Sequence, residues 1–136
     1  MNNRLKFRVW DKKSNNYIKI KMFYIDKFGG LFKYEQSKST VYINAPSPYV
    51  MCLCGNNYIV EQCTGLKDKN GQLIYEGDIL DNISIDEQYE VRWDEDTARF
   101  CCITDNEIYD FDNFDVTAFE VIGNIHVNAD LLENEE

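Results

Sequence analysis

Proline is nearly missing from this chain: there are two in 136 residues, both inside APSPY (Ala45–Tyr49). Histidine occurs once, as His126, so catalysis by a nucleophile and a histidine base has a single candidate base. No apolar run approaches the roughly 20 residues of a membrane-spanning helix, and no membrane association is expected. The opening MNNRLKFRVW interrupts its apolar residues with charges and has no cleavage pattern, so no secretory signal is read there. A cytosolic protein is the expectation.

Cysteine is present but poorly arranged for cross-linking. The five are Cys52, Cys54, Cys63, Cys101 and Cys102. An odd number, with one C-x-C and one adjacent pair, is a weak disulfide framework. A structural zinc site would want two paired ligand elements around a tetrahedral ion. Cys52 and Cys54 supply one; the second is missing. Buried free thiols are therefore expected, with no metal and no cofactor.

What the chain has is hydrophobic residues at 44%, aromatics at 14%, and charge that is unevenly spread. That composition supports one folded domain over residues 1–136 with a true core. The net charge of −10 hides a division. Residues 1–63 carry ten Lys and Arg against four Asp and Glu, a balance of +6. Residues 64–136 carry four against twenty, a balance of −16. A basic lobe over 1–63 and an acidic lobe over 64–132 follow, with 133–136 as a frayed tail. Such lobes can simply attract one another. They can also offer a basic surface to nucleic acid, an acidic surface to a basic protein, or complementary patches to a second copy.

Periodicity points to strands. In LKFRVWD, Leu5, Phe7 and Val9 face one way while Lys6, Arg8 and Trp10 face the other. YIKIKMFYI alternates again after the turn-rich KKSNN, which predicts a long hairpin with a basic outer face. STVYIN reads as a strand. VMCLCGNNYIVEQCT reads as a second hairpin around GNN. LIYEGDILDNI, YEVRWDED, ARFCCIT, IYDFD and EVIGNIHVN read as short strands between polar turns. The fold class expected is mainly β, with antiparallel hairpins, a small barrel-like C-terminal half and at most short helices. DNFDVTAF suits one helical turn capped by Asp112 or Asn113, and NADLLENEE a short helix capped by Asn128.

The most motif-like passage is TGLKDKNGQLIYEGDIL, Thr64 to Leu80, with Gly65, Gly71 and Gly77 at equal spacing. A phosphate-binding P-loop needs a lysine directly after its last glycine, because that lysine reaches the phosphates. Here Leu66, Gln72 and Asp78 follow the glycines. The G-x-G-x-x-G dinucleotide fingerprint is absent too. Read as turns, the glycines make sense. Asn70–Gly71 supplies the positive φ angles of a hairpin loop, and Gly77 precedes a strand whose first carboxylate, Asp78, can cap backbone amides.

This stretch resembles the central signature of the YopX family. LKFRVWDKKSNNYI resembles that family's opening strand and turn, and FEVIGNIHVNADLL resembles its closing motif, all in the expected order. The resemblance implies a phage or prophage source, a bacterial host's cytoplasm, a mainly β domain and homo-oligomers. It supplies no catalytic residue.

Three other constellations carry chemistry in principle. The acidic run Asp94–Asp115 includes D-x-D-x-x-D in DFDNFD, but it lacks the glycine and terminal glutamate of a calcium loop, and a solvated face is the plainer account. His126 falls on the more polar face of the last expected strand, with Glu120, Ile122 and Asn124, which predicts a surface or edge position. The basic hairpin is the best nucleic-acid or partner surface: Arg4, Lys6, Arg8, Lys19 and Lys21 on one face, with Trp10 and Phe23 to stack on bases. No catalytic residue emerges. The expectation is an accessory protein that binds, through itself, a host protein or nucleic acid, with acidic mimicry of DNA as a variant.

Overall fold

The computed structural model describes residues 5–18, 23–25, 27–28, 30–34, 50–52, 57–105, 107–111 and 116–132. The side chains of residues 23, 24, 32–34 and 50–52 lie outside that description. The chain is mainly β, its sheets are antiparallel, and its described helical segments are single short 3-10 turns.

Two compact units divide the chain. One comprises Met1–Phe7 with Glu61–Glu136, the other Arg8–Val60. Strands β1 (Phe7–Asp11) and β6 (Tyr58–Lys67) run across the division.

In the smaller unit β1 turns back into β2 (Asn16–Tyr17), with Trp10 opposite Tyr17 and Asp11 opposite Asn16. The turn closes because the Asp11 carboxylate accepts the Lys13 amide at 2.9 Å and Asn15 takes a left-handed φ of 53°. β3 (Phe23–Ile25), β4 (Leu31–Tyr34) and β5 (Val50–Cys52) form a separate three-stranded sheet in that order. Val9 of β1 and Leu31 of β4 form a buried apolar cluster in this unit, packed by Ile18, Ile25 and Tyr58.

This corrects the second expected hairpin. β5 pairs with β4, not with β6. Both arms are apolar and β-branched, so alternation cannot distinguish a neighbour in sequence from one in space. The STVYIN strand, the GNN turn and the 133–136 tail lie outside the described residues.

The larger unit holds β7 (Leu73–Tyr75) against β6 and a five-stranded sheet. Its strands are β8 (Asp78–Asn82), β9 (Glu87–Asp94), β10 (Arg99–Ile103), β11 (Ile108–Asp110) and β12 (Phe119–Asn124), in the order β11-β10-β9-β8-β12. This curved sheet is the half-barrel behind the expected barrel-like C-terminal half. Its core is Ile74, Leu80, Tyr89, Val91, Cys102 and Phe119. Tyr89 stands edge-on to both Phe119 and Tyr109, which locks the centre of the sheet. A 3-10 turn, Val116–Ala118, leads into β12, and another, Ala129–Leu132, follows it. No helix among the described residues is long and apolar enough to cross a membrane.

Cys63, Cys101 and Cys102 are buried free thiols. Burial, reinforced by Cys101, pushes the Cys102 thiol up to about 12, and burial also raises Cys101. Thiolate is the reactive form, so these positions should be inert in the native fold. In a Cys52→Ser/Cys54→Ser variant, a disulfide reagent at pH 8 should titrate almost nothing until denaturant is added, then three thiols. Rapid native reaction of two or more thiols would contradict this burial.

Candidate functional site: a buried Glu–His latch and an acidic groove

The three glycines of the Thr64–Leu80 passage all adopt left-handed backbone, with φ of 86°, 79° and 83°. Each is a turn. Around them the passage is tied down by carboxylates that accept backbone amides. Asp68 is the first. Its Oδ1 accepts the amides of Asn70 at 2.8 Å and Gln72 at 2.9 Å, and its Oδ2 accepts that of Val121 at 3.0 Å. One buried side chain therefore shapes the Asn70–Gly71 loop and docks β12.

Burial pushes the Asp68 pKa up, but the Val121, Gln72 and Asn70 amides, with Lys69 nearby, outweigh it and hold it below the ordinary value. A depressed carboxylate stabilises the fold above its unfolded pKa, and that contribution is lost as pH falls through the folded pKa. Asp68→Asn should therefore cost about 1–3 kcal/mol at pH 6, and its deficit against wild type should shrink below about pH 4. Thermal melts at pH 6 and pH 3 test this. An equal deficit at both would refute it.

The second fastening is the Tyr75–Asp78 turn. Asp78, almost fully buried, accepts the Tyr75 amide at 2.8 Å. Glu76 accepts the Gln62 amide at 2.9 Å while its own amide donates to the Gln62 carbonyl. Gly77 donates to the Val91 carbonyl and accepts from the Ile125 amide, both at 2.9 Å. Against Gly77 lies Glu61, so close that an added Cβ would come 2.1 Å from Oε2. The same oxygen meets His126 Nε2 at 2.9 Å. The side chains of His126 and Glu61 are 8% and 4% exposed.

This overturns the expected surface histidine. β12 ends at Asn124, before His126, and its register shifts between Val121 and Gly123. Asn124 then accepts the amides of His126 and Val127 on its side chain and turns the chain back. Strict alternation carried past a bulge and an Asx turn assigns the wrong face. Glu61 was missed because it is 65 residues away and lies in a strand that reads as apolar. Asn128 directly precedes the Ala129–Leu132 turn, as expected of its cap, and its carbonyl accepts the Leu131 amide at 2.9 Å, while its side chain accepts the Asn124 amide, close over Gly123.

A groove lies in the same unit. Two adjoining cavities of about 240 and 280 Å3 share Gln88, Thr104, Asp105 and Leu132. Asp86, Glu87, Glu107, Tyr109 and Leu131 complete the lining of the first. Glu90 and Arg92 line the second, hydrogen-bonded to each other. That bond, above all, raises the arginine pKa, so the Arg92 charge is set against Glu90. Glu87 and Glu107 accept the hydroxyls of Tyr89 and Tyr109. Burial and then Glu87 raise the Tyr89 phenol; Glu107 and then burial raise the Tyr109 phenol. Both phenols stay protonated.

The expected basic surface is only partly within view. Lys6 is exposed. Arg8 lies over the Tyr17 ring at 4.5 Å. Trp10 is 5% exposed and stands edge-on to Tyr17 at 4.9 Å, so its ring is covered rather than offered to a base. Both faces of β1 are buried at Val9–Trp10, which alternation does not register. Arg4, Lys19, Lys21 and the side chain of Phe23 lie outside the described residues. Lys12 and Lys13, which the sequence reading treated as mere turn, are exposed at the β1–β2 tip.

The acidic run is described only in part. Asp110 pairs with Arg99 at 2.8 Å, and Asp112 and Asp115 lie outside the described residues. Among the described residues no three His, Cys, Asp or Glu groups come together as metal ligands. Cys54 and the Cys52 side chain are likewise outside them.

The Asp68–Val121 and Gly77–Ile125 hydrogen bonds join the central signature to the closing motif, and the Cys63 amide donates to the Lys6 carbonyl in the opening motif at 2.9 Å. The YopX protein family model matches residues 6–133, nearly the whole chain. The chain belongs to the YopX family. Among solved structures it is similar to protein EF1440 from Enterococcus faecalis, at 26% identity and a TM-score of 0.59, covering 94% of this chain and 97% of that one. It has the fold of protein yopX from Bacillus subtilis, at 19% identity and a TM-score of 0.59, covering 98% and 100%. No curated protein matches. The YopX signature is thus explained as architecture: its glycines and carboxylates close turns and hold β12 in place.

Proposed function

We propose that this YopX-family chain is a phage- or prophage-encoded accessory protein that acts by binding, in the cytoplasm of a bacterial host, and that it self-associates. The groove beside β9 and β10 carries the reading. It is open, it has a surplus of carboxylates, and its single arginine is committed to Glu90. The only histidine is held against Glu61 with little access to solvent, which suits a structural fastening better than a base waiting for substrate.

Cationic protein surface is the complement of such a groove, and the basic balance of residues 1–63 provides it within the same chain. Light scattering coupled to size exclusion should give a mass above the monomer at low salt. The mass should fall towards the monomer near 1 M salt, where the Debye length is about 3 Å. A monomer at every concentration and salt level would refute self-association.

A further inference from the structure

The groove and one hairpin tip are complementary in charge. The groove is lined by Asp86, Glu87, Asp105 and Glu107, and the one arginine in its lining, Arg92, is hydrogen-bonded to Glu90. A phosphate would be repelled there, and an ammonium group attracted. Gln88 and Thr104 in the lining add neutral hydrogen-bonding groups, and Leu131 and Leu132 add apolar surface for a lysine's methylene stem.

The smaller unit presents an exposed basic hairpin tip. In the β1–β2 turn, Lys12, Lys13, Ser14 and Asn15 are all exposed. The turn is preformed: Asp11 holds the Lys13 amide, the Asn16 amide group donates to the Ser14 carbonyl, and the Lys12 amide donates to the Asn57 carbonyl. Little backbone order would have to be gained on docking.

We propose that the acidic groove of one copy receives the Lys12–Lys13 hairpin tip of a second copy, so that copies join head to tail. This rests on the self-association reading and names its two surfaces. The contact is heterologous, so it builds rings if the rotation closes and filaments if it does not.

Two charge-swapped proteins test it. Lys12→Glu/Lys13→Glu alters only the tip; Asp105→Lys/Glu107→Lys alters only the groove, at two exposed positions. Sedimentation velocity at low salt, with melts to confirm folding, should show each variant alone associating at least about tenfold more weakly than wild type. An equimolar mixture should recover association, because the unaltered basic tip of one variant then meets the unaltered acidic groove of the other. A wild type that is monomeric throughout overturns both this contact and the self-association reading. Wild type that associates while the swaps change nothing, or whose swapped variants fail to recover on mixing, overturns the tip-in-groove contact alone. So does a groove swap that abolishes binding of a free oligolysine peptide yet leaves self-association intact.

Discussion

Gly77→Ala is expected to destabilise the protein by about 3–5 kcal/mol, against about 1–2 kcal/mol for Gly71→Ala. Both glycines hold left-handed backbone, at φ of 83° and 79°, so both replacements incur the same conformational strain. The surroundings differ. Nothing lies within 4 Å of a Cβ added at Gly71. At Gly77 the added carbon would stand 2.1 Å from Glu61 Oε2 and 2.9 Å from its carboxyl carbon. A flexible side chain on the surface would swing away cheaply. Glu61 is buried, and its oxygen is held by His126, so the clash resolves only by breaking that contact or shifting the turn. For a chain of this size the gap between the two variants is worth roughly 8–12 °C in melting temperature. The mechanism has its own control. In a Glu61→Ala background the obstacle is gone, and Gly77→Ala should then cost no more than Gly71→Ala does. Equal losses for the two glycines in the wild-type background would refute the steric account.

That comparison shows what could be read from the sequence and what could not. Turn chemistry is local, so Asn70–Gly71 and the Glu76–Gly77–Asp78 corner were legible as turns, and the strands around them by alternation. The mainly β class followed. What Gly77 packs against was not legible. Glu61 belongs to β6 and His126 lies beyond the end of β12, and nothing in either local pattern refers to the other. The same holds for β5, whose partner is β4 rather than its sequence neighbour β6. Charge division was visible as a count. The count could not say that Arg92 is set against Glu90, that Trp10 is covered, or that Lys12 and Lys13 stand at a tip.

His126→Ala should cost about 2–4 kcal/mol, and Glu61→Ala a similar amount, with the two together costing clearly less than their sum. The pair is 2.9 Å apart and almost closed to solvent, so removing either partner leaves the other desolvated and deprived of its hydrogen bond. Losing both removes that penalty and leaves a cavity beside the turn. Glu61→Gln isolates the charge: the amide oxygen can still accept a hydrogen bond from the imidazole, so the loss should be smaller than for alanine. The damage should also be directional. Ile125 donates to the Gly77 carbonyl immediately beside His126, and the Ala129–Leu132 turn, which adds apolar surface to the groove, follows it. In His126→Ala the amides of Ile125 to Leu132 should exchange faster with solvent, while those of β9 and β10 keep their protection. Additive energies in the double-mutant cycle, or exchange that rises uniformly across the sheet, would mean that Glu61 and His126 do not act as a latch.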